Sequence, residues 1–288
     1  MKNYQFESDI KLIRKCLGLS QDEFAKEVLL SRSNIARYES GAIIPRKDSC
    51  EKIYNYAFKN AFNINKSKAM LYEDNKADNA ILFHGSRNEI IGEVDINHSI
   101  APNDFGDGFY LGQTLKQANM WVATNKDSST YCFYFKTDKT LKSLSLKTDY
   151  DWMLLILYYR GALEGYKKPK RLTGLISKIE NVDYIVAPIA DNQMYDTLEM
   201  FRNNIISDTA CLHALSANNL GRQYVLKTMK ACKCLECVDR FYLCEEERNY
   251  YLNLKKESYD EGKSKTSLAI AKYRKEGKLF NEIFKKER

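Results

Sequence analysis

No stretch of this sequence is apolar for long enough to cross a bilayer. The longest run, residues 152–159, falls well short of the ~20 residues that a membrane-spanning helix needs. The opening segment MKNYQFESD has no apolar core, so no secretory leader is expected. Proline is scarce: four, beside 13 glycines in 288 residues, exclude collagen-like and Pro-rich low-complexity chains. Eight cysteines without an export signal are expected as reduced thiols of a cytoplasmic protein, not as a disulfide framework. What the chain does have is aromatic and charged. Twenty Tyr and 13 Phe can fill a core, and 45 Lys and Arg against 38 Asp and Glu leave a net charge of +7. That mild bias is compatible with a nucleic-acid partner without requiring one. The length fits two domains.

The pattern divides the chain into stretches. Residues 1–62 read as short helices in quick succession, with Ile10, Ile13 and Leu17, then Phe24, Ala25 and Val28, at helical spacing. Residues 63–79 carry few large apolar groups and read as a linker. From residue 80 to 244, short apolar runs (ILFHGS, GFYLG, YCFYF, DYIVAPIAD, QYVLKT) alternate with helical patterns at 113–124, 150–164 and 193–217. Residues 245–288 alternate in charge and read as an exposed helical extension.

Within the first stretch, Ser20 stands three residues before Glu23, the spacing of a capping box. The helix so begun ends near residues 28–30; Ser31 then caps a second helix over residues 32–39, which stops at Gly41. Two short helices and a tight turn make a helix-turn-helix. Leu19, Ser20, Gln21, Phe24, Ala25, Ser33, Ile35, Tyr38, Glu39, Gly41 and Pro45 occur in the order of the Xre/Cro phage-repressor type, which this segment resembles. The resemblance implies that Arg32, Ser33, Asn34 and Arg37 face the major groove or flanking phosphates and that Gln21 contacts phosphate. It also implies a homodimer on paired half-sites. The bland alternative is a helical protein-interaction module without DNA binding.

Four motifs mark the second stretch: Phe83-His84-Gly85-Ser86, the run from Asp104 to Leu111 (DFGDGFYL), the run from Asp183 to Asp191 (DYIVAPIAD), and Gln223-Tyr224-Val225-Leu226. Alone, each is weak. A His-Gly at a strand end is commonly structural, and the Asp-Phe-Gly has no kinase glycine-rich or catalytic loop before it. Their order and spacing resemble the ADP-ribosyltransferase superfamily, closest to its His-Tyr-Glu branch, and within it a bacterial domain-of-unknown-function family. The resemblance implies an α+β fold: the small all-α domain followed by a split antiparallel β-sandwich with helices. It implies transfer of ADP-ribose from NAD to a macromolecular acceptor of unknown kind, with release of nicotinamide, as in toxins or phage-defence effectors. No metal and no membrane partner are expected.

The same resemblance assigns roles by position. His84 would hydrogen-bond the adenosine ribose. The backbone of Gly85 and the hydroxyl of Ser86 would hold the nicotinamide amide. Tyr110 would stack on the nicotinamide ring, and Trp121 would stack opposite it or pack in the core. Such chemistry asks mainly for positioning, because nicotinamide is already a good leaving group. The third position departs from the pattern: Gln223 stands where the branch has Glu, and an amide offers neither negative charge nor a base. This keeps open a non-catalytic regulator that senses NAD or a related nucleotide. Asp191 is a substitute carboxylate or a helix cap; Asp104 and Asp107 form a Gly-rich turn, with shaping of the NAD loop as the alternative for Asp104. Cys232, Cys234, Cys237 and Cys244 lie in a stretch that reads as helix and are expected as packed thiols rather than zinc ligands.

Overall fold

Side-chain capping begins the N-terminal architecture. In the computed structural model, which describes residues 1–99, 103–137, 139–190, 192–218 and 220–286, the helices α1 (Phe6–Cys16), α2 (Gln21–Glu27), α3 (Arg32–Glu39), α4 (Lys47–Lys59) and α5 (Ile64–Asp74) come first. Then follow β1 (Ala80–Ser86), β2 (Phe109–Gly112), α6 (Leu115–Val122), β3 (Ser129–Phe135), β4 (Ser143–Ser145), α7 (Tyr150–Tyr159), α8 (Lys170–Glu180) and β5 (Tyr184–Pro188). The chain continues with α9 (Asn192–Arg202), α10 (Asp208–Ser216), β6 (Arg222–Leu226), α11 (Met229–Cys232), β7 (Leu235–Tyr242), α12 (Glu245–Tyr273) and α13 (Phe280–Ile283). The fold class is α+β.

The chain gathers into two compact units that interleave in sequence. The first holds Met1–Glu93, Thr114–Lys136 and Glu236–Leu254; the second holds Val94–Gln113, Thr137–Leu235 and Lys255–Arg288. In the first unit, Ser20 Oγ accepts from the Glu23 amide at 3.2 Å and the Glu23 carboxylate accepts from the Ser20 amide at 2.8 Å, which closes the expected capping box on α2. Ser31 caps α3 through the Asn34 amide at 3.1 Å. Between the two helices Leu29 takes φ 52°, a left-handed conformation that costs a branched residue about 1–2 kcal/mol and is held by the packed helices on either side. Phe24, Ala25, Val28, Ile35, Ile10 and Ile13 close the core beneath.

Residues 64–74, expected within a linker, form α5. Its anchor is polar, which is why apolar patterning did not disclose it. Lys68 is buried between two buried carboxylates, 2.7 Å from Asp9 and 2.7 Å from Asp239. Tyr54 donates to Asp9 at 2.8 Å and Tyr72 to Asp239 at 2.9 Å. This network joins α1, α4, α5 and β7. Burial lifts the Asp9 carboxyl above its ordinary value, with Lys68 and Tyr54 pulling it back. β1 pairs antiparallel with β3, placing His84 opposite Tyr131 and Gly85 opposite Thr130, and β7 lies beyond β3.

In the second unit the strands run in the order β4-β5-β6-β2. β6 is antiparallel to β5 and β2, whereas β4 is parallel to β5, so this sheet is mixed where a purely antiparallel one was expected. α7 is buried from Trp152 through Leu157, and the apolar run is thereby a core helix, hidden all round rather than amphipathic. The helical pattern at 193–217 is two helices, divided where Asn204 takes φ 58° and Ser207 caps α10. The cysteine stretch is helical only through Cys232. Cys237 stands on β7, half-buried like Cys234. α12 is less exposed than its charge suggests, because it buries Glu247, Arg248, Tyr251 and Thr266. No helix among the described residues is long and apolar enough to cross a membrane.

Candidate functional sites

The exposed side of α3 follows from its core. Ile35, Tyr38 and Glu39 turn inward. At ~100° per residue, Arg32, Ser33 and Arg37 then share an arc of about 140° on the opposite side, and all three are exposed. Asn34 is half-buried at the edge of that arc. Arg32 lies 3.7 Å from Asp22 in an open pair that water screens. Gln21, expected at phosphate, donates to Glu39 at 2.9 Å. Glu39 also receives a forked pair from Arg14 at 2.5 and 3.0 Å, and Arg14 reaches the Leu19 carbonyl at 2.8 Å. Burial opposes charge on Glu39, but the hydrogen bonds from Arg14 and Gln21 outweigh it and hold the carboxyl below its usual range. This network sets the angle at which α3 is presented. The motif resemblance pointed to Glu39 and Gln21 but not to Arg14 as their partner.

His84, Gly85, Ser86 and Trp121 also belong to the first unit. His84 to Ser86 end β1 and are half-buried. Gly85 is glycine for a packing reason: a Cβ there would meet the Ala118 carbonyl oxygen at 2.5 Å and Val122 Cγ1 at 2.8 Å. α6 therefore lies against the strand at this point. Trp121, between those two contact residues in sequence, is 64% exposed, so it is an open indole and not a core residue. Ser86 donates to the Asn88 carbonyl at 2.6 Å.

Tyr110 and Gln223 belong to the second unit, on neighbouring strands. Gly112 pairs with Gln223 and Tyr110 with Val225, which puts both side chains on the same sheet face. They hold the Asp-Phe-Gly-Asp loop. Tyr110 donates to the Gly106 carbonyl at 2.6 Å and accepts from the Phe105 amide at 3.1 Å; burial pushes its hydroxyl above the ordinary value. Asp104, buried, accepts from Arg160 at 3.0 and 2.5 Å, from Gln223 Nε2 at 2.7 Å and from the Ala190 amide at 3.2 Å. The same Gln223 nitrogen donates to the Pro188 carbonyl at 3.1 Å. Lys227 donates to the carbonyls of Phe105, at 2.8 Å, and Asp107, and burial lowers its pKa.

An amide thus stands at position 223 because its neighbour is a carboxylate. Glutamate would set two acids face to face and would offer no donor. Arg160 and Lys227 were not singled out in the sequence; an isolated cation at the end of the buried run 152–159 was the available signal for Arg160. Asp191 lies outside the described residues. Among the described residues no three His, Cys, Asp or Glu side chains gather where they could hold a metal ion.

These features define a helix-turn-helix protein with a second, mixed α+β module. The helix-turn-helix family matches residues 10–56, which supports a DNA-binding domain. Residues 80–237, more than half of the chain, match the family described as "Protein of unknown function (DUF3990)", and the chain belongs to that family. No curated protein and no solved structure matches it.

Proposed function

We propose that this protein binds duplex DNA through α3 and that its second module takes NAD as a ligand. The observation that carries the first part is the arc of Arg32, Ser33 and Arg37, exposed opposite the buried side of a doubly capped helix. Arg and Asn side chains suit guanine and adenine edges in the major groove. Selection of bound sequences from a random duplex pool tests it. The wild type is expected to enrich a motif that Arg32→Ala/Arg37→Ala loses; a folded wild type that enriches none refutes it.

For the second module, the resemblance to ADP-ribosyltransferases supports NAD as ligand, with His84, Gly85, Ser86 and Trp121, which share one compact unit, as the residues to hold it. The open indole of Trp121 fits a stacking role. Gln223 does not fit the role of the branch's glutamate, since its amide nitrogen is committed to Asp104 and to the Pro188 carbonyl. That observation favours the second reading, a regulator that binds NAD without turning it over, above transfer of ADP-ribose to a macromolecule. Incubation with labelled NAD and a bacterial lysate separates the two. Label retained as intact NAD, with binding weakened by His84→Ala, supports the sensor; label moved to protein or nucleic acid, with nicotinamide released, establishes the transferase. No binding at all removes NAD from the account.

A further inference from the structure

Charge is divided unevenly between the units. The first, which contains the helix-turn-helix, has 20 Lys and Arg against 19 Asp and Glu; the second has 25 against 19. Nearly all of the net positive charge therefore belongs to the second unit, although phosphate neutralisation supplies most non-specific affinity for nucleic acid.

Within the second unit, two basic segments far apart in sequence are built into one patch. Tyr166 forms an antiparallel bridge with Lys286, and the Lys167 amide donates to the Lys285 carbonyl at 2.8 Å. Phe280 and Phe284, 1% and 2% exposed, pin the C-terminal segment into the core, and Tyr166 packs edge-on against Phe280 at 5.1 Å. The basic tail is thereby fixed beside KKPKR rather than left trailing. Lys167, Lys168, Lys170, Arg171, Lys285 and Lys286 are all exposed. Among the described residues only Arg171 of these six has an ion-pair partner, Asp151. Aromatic rings underlie the patch: Lys168 Nζ stands 4.7 Å from the Tyr158 ring centre and the Arg171 guanidinium 5.6 Å from that of Tyr150.

We propose that this patch is a second nucleic-acid contact, which grips the phosphodiester backbone without reading sequence. Five cations without an ion-pair partner among the described residues, on a fixed base, complement a polyanion, and like-charge repulsion within the patch is relieved when phosphates bind. The proposal does not depend on α3 reading an operator.

The test compares the full-length wild type, Lys167→Gln/Lys168→Gln/Lys285→Gln/Lys286→Gln, and Arg32→Ala/Arg37→Ala. Affinity for random-sequence duplex DNA and for single-stranded RNA is measured across a salt series. Because the four lysines are exposed, unchanged thermal melting is expected and is checked first. With ~0.9 counterions released per duplex phosphate and ~0.7 per single-strand phosphate, the patch variant's salt slope should be shallower by about three. At low salt its affinity should fall at least about tenfold, a loss carried by non-specific phosphate contacts. Loss on duplex alone assigns the patch to DNA, and loss on RNA alone assigns it to RNA. A patch variant whose slope and affinity match the wild type on both overturns the proposal. So does one that loses binding only to phosphatidylserine vesicles. Failure of Arg32→Ala/Arg37→Ala to alter sequence selection would count against the α3 reading alone.

Discussion

Glu247 offers the sharpest test of how the first unit is held. It lies in the first turn of α12, 2% exposed, and accepts from Asn65 Nδ2 at 2.7 Å and Asn63 Nδ2 at 3.2 Å. Burial raises its pKa from 4.5 to about 7, while the two asparagines and Arg248 pull the other way. A carboxyl raised in this way favours folding when protonated. Its contribution is complete below about pH 4.5, where the unfolded chain is protonated too, and is lost as the pH rises through about 7. The interval is worth at most about 3.5 kcal/mol at ~1.4 kcal/mol per pH unit. Glu247→Gln keeps the size and an acceptor oxygen without the charge. The buried Asn65 Oδ1, without a hydrogen-bond partner among the described residues, is an acceptor for the new amide. Urea unfolding followed by circular dichroism should therefore show the variant close to wild type at pH 4 and more stable by about 2–3 kcal/mol at pH 8. Other titrating groups, Asp9 among them, cancel in the difference between the two proteins. A difference that stays flat from pH 4 to pH 8 would refute the assignment.

The remaining predictions concern the candidate site. Gln223→Glu sets a carboxylate where Nε2 now stands 2.7 Å from Asp104 and removes the donor, so it should destabilise by about 2–4 kcal/mol near neutral pH. Melting measured at pH 5 should recover part of the loss, since one proton shared by the two acids relieves the repulsion; equal loss at both pH values would contradict the like-charge account. Gly85→Ala forces a Cβ against the Ala118 carbonyl and Val122, and the overpacking should cost about 1–3 kcal/mol in urea unfolding. A neutral result would mean that α6 is not seated on β1 as described.

Much of the helix-turn-helix was legible because its signals are local. The Ser20–Glu23 box, the Ser31 cap and the spacing of Phe24, Ala25, Val28 and Ile35 each act within one turn of helix, so residue order alone specifies them. The strands at FHGS, GFYLG and QYVL were legible for a similar reason, from short apolar runs between turn residues. α5 was not, because its buried face is held by Lys68, Asn65 and their distant partners Asp239, Tyr242 and Glu247. Burying a lysine is costly unless carboxylates arrive from elsewhere in the chain, and no local pattern reports that arrival. The role of Gln223 was hidden likewise: its partner Asp104 is 119 residues away.

The sequence by itself therefore determined the local elements, the exposed face of α3 and the identity of the motif residues, since capping, helical period and strand alternation are short-range. Only the tertiary structure decided that Gln223 serves Asp104, that Trp121 stands open to solvent, and that KKPKR meets the C-terminal lysines across a backbone bridge. Those outcomes depend on which distant groups share a dielectric and a hydrogen bond, and chain order does not encode that directly.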